Sequence, residues 1–340
     1  MRSMAYTRSG DSDVLSLLER PDPEPGPGEV RVRVIRSGVN PTDWKSRRGS
    51  APGQPVQFDL QVPNQDGAGV IDAIGPDVSA TRIGERVWIW EAAYQRADGT
   101  AQDYVVLPSS HAVAMPSDVS FDVGASLGIP FLTAHRCLTV LDNGPGRLRR
   151  EALNGRTVLV AGGAGAVGNA TIQLARWADA RVLATVSSRE KADLALAAGA
   201  DDVVNYRDAD AAKTIRALAP GGVDIIVEVA PTANADLDIA VLARDGVVAV
   251  YAGNPESAMT LQTRQLMTLN ARWQFVLVYT VPRAAKQAGV SAVSEALAAG
   301  EIRAGAPHGL PLHHFPLAET AAAHDAVEGG AIGKVLIDLD

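Results

Sequence analysis

The stretch from Val158 to Gly168 limits what this chain can fold into more than any other. Val158, Leu159 and Val160 are apolar and read as a short strand entering a sheet core. Glycines follow at once, and Gly163, Gly165 and Gly168 spell G-x-G-x-x-G. From Asn169 the spacing of Ala170, Leu174 and Trp177 predicts a helix. Strand, glycine turn and helix together are the context of a dinucleotide-binding turn. The first glycine permits the tight turn, the second admits a pyrophosphate to the backbone, and the third lets helix and strand pack closely. The helix start then offers free N–H groups and partial positive charge to phosphate. Gly163, Gly165, Ala166 and Val167 are therefore candidate cofactor contacts. A Walker A loop is excluded, because Asn169 and Ala170 follow Gly168 where Lys and Ser or Thr would be needed.

A chain of 340 residues exceeds the size at which one core stops growing, so two domains are expected. Its formal net charge of −8 opposes binding to nucleic acid or an anionic membrane surface. No apolar run is long enough to span a bilayer, and the first residues lack the apolar core of a signal peptide. The single cysteine, Cys137, excludes intrachain disulfides and a cysteine-built zinc site. A cytoplasmic enzyme acting on a small molecule fits these bounds.

The N-terminal part is punctuated by Gly and Pro, with short strands such as Glu29–Ile35 and Gly84–Trp90 between. The alternation of Val30, Val32 and Val34 with charged residues predicts a half-exposed strand, and the region a β-rich domain. Ser37 to Lys45 reads as a polar loop around Pro41. After the glycine turn, apolar strands alternate with Ala-rich helices. Arg181–Val186, Val203–Val204, Val223–Val229, Gly246–Tyr251 and Phe275–Val278 are the further strands, which implies βαβ units and a parallel sheet. From about Pro282 the chain reads as helix, then ends in the strand Lys334–Ile337.

The end of the second of these strands speaks to the cofactor. An NAD site places Asp or Glu there, against the ribose 2′-OH. Here Ser187 and Ser188 occupy the turn, and Arg189 and Lys191 follow, with Glu190 between the two cations. Hydroxyls and cations attract a 2′-phosphate that a carboxylate repels, so NADP(H) is expected.

Taken in order, Ser37-Gly-Val-Asn-Pro-Thr-Asp43, Gly128-Ile-Pro-Phe-Leu-Thr-Ala134, the glycine turn, Gly199-Ala-Asp-Asp-Val-Val-Asn-Tyr206 and Gly333-Lys334 carry a resemblance over nearly the whole chain. It resembles the zinc-free medium-chain dehydrogenase/reductases of the quinone oxidoreductase, or zeta-crystallin-like, type. The resemblance implies an α/β fold, in which a GroES-like β-barrel catalytic domain (1–126 and 281–340) is interrupted by a Rossmann domain (127–280) with its doubly wound parallel sheet. It also implies a cofactor in an interdomain cleft. Zinc-bearing relatives place a cysteine ligand where this chain has Asn40, a His-Glu pair at Gln65-Asp66 and a third ligand near Ile129-Pro130. A catalytic zinc is therefore not expected, and hydride transfer must rely on hydrogen-bond polarisation.

By the same resemblance, Tyr206 belongs near the adenosine phosphate, and Asn40 and Thr133 near nicotinamide and substrate. Tyr251, Ala252 and Gly253 would line the cofactor cleft, Phe275 and Val276 would border the nicotinamide, and Lys334 would be a late cofactor contact. Quinone reductases often carry Tyr where Lys45 stands, and lysine there looks more like some zinc-free enoyl reductases. Asn40, Lys45 and Thr133 are the candidate catalytic residues, with Lys45→Met expected to lower kcat on an enone at least tenfold.

Other features read as structural. His313 and His314 are adjacent, so a strand would point them to opposite faces, and with His308 they make no metal site. Cys137 reads as packing, His135 as structural or cleft-lining, and Asp43 as a cap. One of Trp88 and Trp90 is expected to pack and the other to face the cleft. The apolar Phe275–Val278 would be a sheet edge inviting homodimerisation.

Three functions follow. The first is NADPH-dependent reduction of a quinone or other conjugated carbonyl. The second is an enoyl reductase adding hydride to a C=C bond. The third, of another class, is a non-catalytic NADPH-binding sensor or structural protein.

Overall fold

The computed structural model describes residues 1–253 and 258–339. Its first elements are strands β1 (Arg2–Ala5), β2 (Ser16–Glu19) and β3 (Glu29–Val39). Val30, Val32 and Val34 are fully buried while Arg31 and Arg33 lie on the other face, as the alternation predicts. Helix α1 (Pro41–Arg48) follows directly, where the sequence suggested a loop. Pro41 at its first position has the backbone angle a helix start needs, and Asp43 Oδ2 accepts the Asn40 N–H at 2.7 Å. Gly49, at φ 62°, stops it.

Strands β4 (Asp66–Ile74), β5 (Arg86–Ile89), β6 (Tyr104–Pro108) and β7 (Ala112–Ala114) complete the N-terminal run. Helix α2 (Phe121–Leu138) breaks at Gly128, whose backbone leaves the helical region two residues before Pro130.

The parallel unit comprises β8 (Thr157–Ala161), α3 (Ala166–Trp177), β9 (Arg181–Val186), α4 (Arg189–Ala197), β10 (Asp202–Asn205), α5 (Ala211–Leu218), β11 (Val223–Glu228), α6 (Pro231–Val241), β12 (Leu242–Val250), α7 (Thr263–Leu269) and β13 (Arg272–Phe275). Among the described residues its six strands pair in the order β10-β9-β8-β11-β12-β13, all parallel. Reading outward from β8, this is the doubly wound arrangement, with the reversal between β8 and β11. Leu159, Leu183, Ile226 and Val248 fill its core. The last strand lies earlier than its apolar run: β13 covers Arg272–Phe275 and meets the expected Phe275–Val278 only at Phe275, and 278–280 form a 3₁₀ turn.

Helix α8 (Arg283–Ala298), β14 (Leu312–Pro316), α9 (Thr320–Glu328) and β15 (Lys334–Asp338) close the chain. β15 pairs antiparallel with β3 and parallel with β14, giving the sheet order β14-β15-β3-β4-β5-β7, with β6 also on β3. Val32, Ile71, Ile89, Val105 and Ile337 are fully buried in its core.

Contacts divide the chain into Met1–Ile129 with the segment from Pro311 onward, and Pro130–Leu310. Residues 281–310, expected with the first domain, thus join the second. The reason is the small-residue face of α8, where Gly289, Ala292 and Ala296 are buried and Gly289 lets the helix close on Leu132 and His135.

Candidate functional site

The glycine turn of the parallel unit is built as its spacing requires. Gly162 adopts φ 69°. A Cβ on Gly163 would meet Ala184 at 2.8 Å, and one on Gly168 would overlap the Gly162 carbonyl. A Cβ on Gly165 would meet only that carbonyl, at 3.4 Å, so its outer side is open to a ligand. Gly165 caps α3, and the N–H groups of Ala166 and Val167 have no i−4 carbonyl inside the helix. The turn fits a pyrophosphate.

Beside it, β9 ends in Val186 and Ser188 caps α4, accepting the Lys191 N–H at 3.3 Å. The Lys191 ammonium donates to Ser187 Oγ at 3.3 Å. The Tyr206 N–H bonds the Val186 carbonyl at 3.1 Å, which places Tyr206 at the same sheet edge. Its ring is 41% exposed, with the Arg207 guanidinium 6.0 Å from the ring centre. Arg189 is exposed at the start of α4. Hydroxyl, ammonium and an open aromatic face therefore converge where a dinucleotide's adenosine end would lie.

Ala252, Gly253, Phe275 and Val276 also come together. With Pro231 and Thr232 they line a concavity of about 710 Å³ at the C-terminal ends of β12 and β13, the edge at which open parallel sheets bind ligands. At the end of β11, buried Glu228 accepts from the Asn234 amide at 3.0 Å and from the Ala230 N–H. Asp238, also buried, keeps its proton: burial raises its pKa well above the carboxylate range, and the neighbouring Glu228 raises it further. Burial also raises Glu228, against the hydrogen bonds it accepts. Sequence reasoning did not single out this pair.

Thr133 is buried in α2. Nearby, His135 Nε2 accepts the Leu148 N–H at 3.3 Å, and burial lowers its pKa to about 4, so it is neutral and structural. Cys137 is buried with its thiol pushed up to about 12, which fits packing. Trp88 and Trp90 are both buried, and Trp90 stacks on His111 with ring centres 4.1 Å apart.

In the barrel unit, Asn40 meets two residues distant in sequence. Its Nδ2 donates to Asp66 Oδ2 at 2.6 Å, and its Oδ1 accepts the Lys334 ammonium at 2.8 Å. Lys334 lies 3.4 Å from Asp66 Oδ2, and Asp66 Oδ1 accepts the Ile129 N–H at 2.8 Å. All three side chains are buried. Burial raises Asp66, and the Lys334 ammonium opposes that; burial lowers Lys334, and Asp66 opposes that. Lys334, expected at the cofactor, has its ammonium committed to this triad. The donor set does not fit zinc, because the carboxylate and amide at these positions already hold an ammonium. No group of three His, Cys, Asp or Glu among the described residues could hold a metal. His313 and His314 bond instead to Ile332 O and Asp338 Oδ1.

Lys45 is exposed on α1, its ammonium 5.6 Å from the Trp44 ring centre. Asp43, two residues earlier, is buried and lines a polar pocket of about 430 Å³ within this unit, together with Tyr6, Ser46, Gln54, Gln65 and Tyr94. No helix among the described residues is long and apolar enough to cross a membrane.

Two family profiles match the chain: an alcohol dehydrogenase GroES-like domain over residues 26–117 and a zinc-binding dehydrogenase over 166–295. The quinone oxidoreductase of Mus musculus is 31% identical over 274 residues, covering 77% of this chain and 78% of its own length. Two solved structures each match over 100% of both chains. One, described as an NAD-dependent alcohol dehydrogenase, has a TM-score of 0.85 at 26% identity. The other, a mycobacterial protein in complex with NADPH, has a TM-score of 0.80 at 27% identity.

Proposed function

The chain belongs to the quinone oxidoreductase family of medium-chain dehydrogenase/reductases, and we propose that within it this protein transfers hydride from NADPH to a conjugated carbonyl, with a quinone as the first substrate and no zinc. The observation that carries the reading is the Ser187–Lys191 pair beside the glycine turn, at the place where an NAD site needs a carboxylate. NADPH supplies the hydride when bound. The turn from Gly163 to Val167 holds the pyrophosphate. Ser187, Ser188, Arg189 and Lys191 take the 2′-phosphate, and Tyr206 covers the adenosine. The concavity at Ala252, Gly253, Phe275 and Val276 takes the nicotinamide end. Lys334 serves Asn40 from within the barrel. Thr133 remains a proposed neighbour of the substrate.

A second reading, hydride addition to Cβ of an α,β-unsaturated ketone or thioester, draws on the polar pocket at α1, which suits an oxygen that gains charge. β13 is an edge strand with Phe275 62% exposed and Leu277 54% exposed just beyond, which supports a homodimer through that edge in a cytoplasmic enzyme.

The test is NADPH and NADH affinity by cofactor fluorescence, then NADPH oxidation against quinones, enones and enoyl thioesters, with and without a chelator. Tighter binding of NADPH and chelator-resistant turnover are expected. Equal affinity for NADH would overturn the cofactor assignment. Activity lost to the chelator and restored by zinc would overturn the metal-free reading. Binding without turnover on any acceptor would leave the sensor or structural role.

A further inference from the structure

Glu228 is the last residue of β11, at the sheet edge where the concavity of about 710 Å³ opens. It pairs with Val250 in the next strand, and its carbonyl accepts the Tyr251 N–H at 3.1 Å. Val250 and Tyr251 line the concavity, as do Pro231 and Thr232 at the start of α6. The Glu228 side chain is fully buried and turned to α6, where it accepts the Ala230 N–H and the Asn234 amide. Asp238, one turn beyond Asn234, hydrogen-bonds to it.

Two carboxyls in contact hold one proton between them. Glu228 also accepts from the Val229 N–H, which favours its charged form, whereas Asp238 Oδ2 has no partner in the protein. The proton therefore stays on Asp238, and Glu228 carries the charge. The start of α6 offers only partial positive charge. Among the described residues no cation pairs with either acid, and no lysine or arginine lines the concavity. Burial holds the Cys137 thiol and the Tyr251 phenol neutral. One buried negative charge thus stands beside the concavity without a cation against it.

We propose that Glu228 makes this protein discriminate between the two redox forms of its cofactor, favouring the oxidised, cationic nicotinamide. The inference rests on the reading above, in which this concavity takes the nicotinamide end, and deepens it. A reduced nicotinamide ring is neutral. Hydride leaves it for the acceptor carbon with both electrons of the C–H bond, and the ring becomes a cation. A carboxylate fixed nearby stabilises that cation and the charge that builds on the way to it. Glu228 touches no reacting atom and acts through its field alone. A buried carboxylate without a cation is unfavourable in the protein by itself, and the oxidised ring supplies the missing partner.

The experiment compares dissociation constants at neutral pH for NADPH, by its fluorescence, and for NADP⁺, by displacement of NADPH. A unit charge acting over roughly 10 Å at an effective dielectric constant of about 20 shifts an equilibrium by about tenfold. Combining Glu228→Gln with Asp238→Asn removes the charge and keeps the shape of the pair. This double variant should bind NADP⁺ about tenfold more weakly, relative to NADPH, than wild type does. Asp238→Asn alone keeps the Glu228 carboxylate and gives it an amide donor, so its ratio should stay within about twofold of wild type. A merely structural role would weaken both cofactors together and leave the ratio unmoved. An unmoved ratio in a double variant that still binds NADPH would overturn the inference alone. An equal shift in Asp238→Asn alone would overturn the assignment of the charge to Glu228. Should the double variant fail to fold or to bind NADPH, Glu228→Gln alone should shift the ratio in the same direction, and an unmoved ratio there would equally overturn it. A wild-type protein that binds no NADPH would overturn the functional reading and this inference with it.

Discussion

Replacing Lys334 with Met tests whether the Asn40–Asp66–Lys334 triad is a charge balance or merely packing. The Lys334 and Asp66 side chains are 1% and 0% exposed, so neither charge has water to fall back on. Removing one partner of such a pair leaves the other buried and uncompensated, which costs about 3–5 kcal/mol. Asp66 would retain the Asn40 Nδ2 and Ile129 N–H bonds, which places the cost towards the lower end. For a domain of this size each kcal/mol lowers Tm by roughly 2–4 °C, so a fall of about 6–12 °C is expected near neutral pH. The pH dependence identifies the cause. Burial already raises the Asp66 pKa, and losing the ammonium raises it further. A carboxyl whose folded pKa is raised contributes stability that is present below its unfolded pKa and lost as pH rises through the folded one. Lys334→Met should therefore approach wild type in acid and fall away as pH rises. Adding Asp66→Asn should recover much of the loss, because no charge then remains buried. Thermal melts across pH for the two single variants and the double variant measure all of this. A loss independent of pH, with the two substitutions simply additive, would refute the charge argument and leave lysine as a space-filler.

Ser187→Asp should reverse the cofactor preference, weakening NADPH binding at least tenfold, about 1.4 kcal/mol, while NADH tightens; unchanged dissociation constants would remove the 2′-phosphate assignment. Lys45→Met should lower kcat on an enone at least tenfold while leaving NADPH affinity within a few-fold; an unchanged kcat would return Lys45, exposed over Trp44, to a surface role. Asp238→Asn should raise Tm by an increment that grows from acid to alkaline pH: folded Asp238 keeps a proton that the unfolded chain releases in the ordinary carboxylate range, so wild type loses stability as pH rises and the amide does not. A constant difference across pH would show that the pair is not titrating as assigned.

What the sequence made legible is what short-range pattern dictates. The alternation along β3 and the glycine turn before α3 follow from periods of a few residues, and both formed at the expected places. The misreadings are cases where one local signal has two meanings. Asn40-Pro41 suits a turn as well as a helix start, and only the Asp43 return bond selects the helix. The apolar run at Phe275–Val278 suits a strand, yet the ladder to β12 stops at Phe275. Residues 281–310 have no pattern that says which core they join; the small face of α8 decides it.

The triad lies outside local pattern altogether, since Asn40 is 26 residues from Asp66 and 294 from Lys334. Yet it leaves a trace in two glycines that no turn requires. Gly38 lies within β3, a position where glycine costs roughly 0.5–1 kcal/mol relative to alanine, and Gly128 lies at the break in α2. A Cβ on Gly38 would overlap the Ala125 carbonyl and come within 2.9 Å of Lys334 Cε; one on Gly128 would overlap Asp66 Oδ1. Each glycine makes room for one member of the ion pair. A glycine inside a strand, such as Gly38, marks close approach rather than flexibility, and at the break in α2 Gly128 combines close approach with a backbone conformation outside the helical region. Here both approaches converge on the Asp66–Lys334 pair, so the sites of weakest local propensity locate the charges that local propensity could not predict.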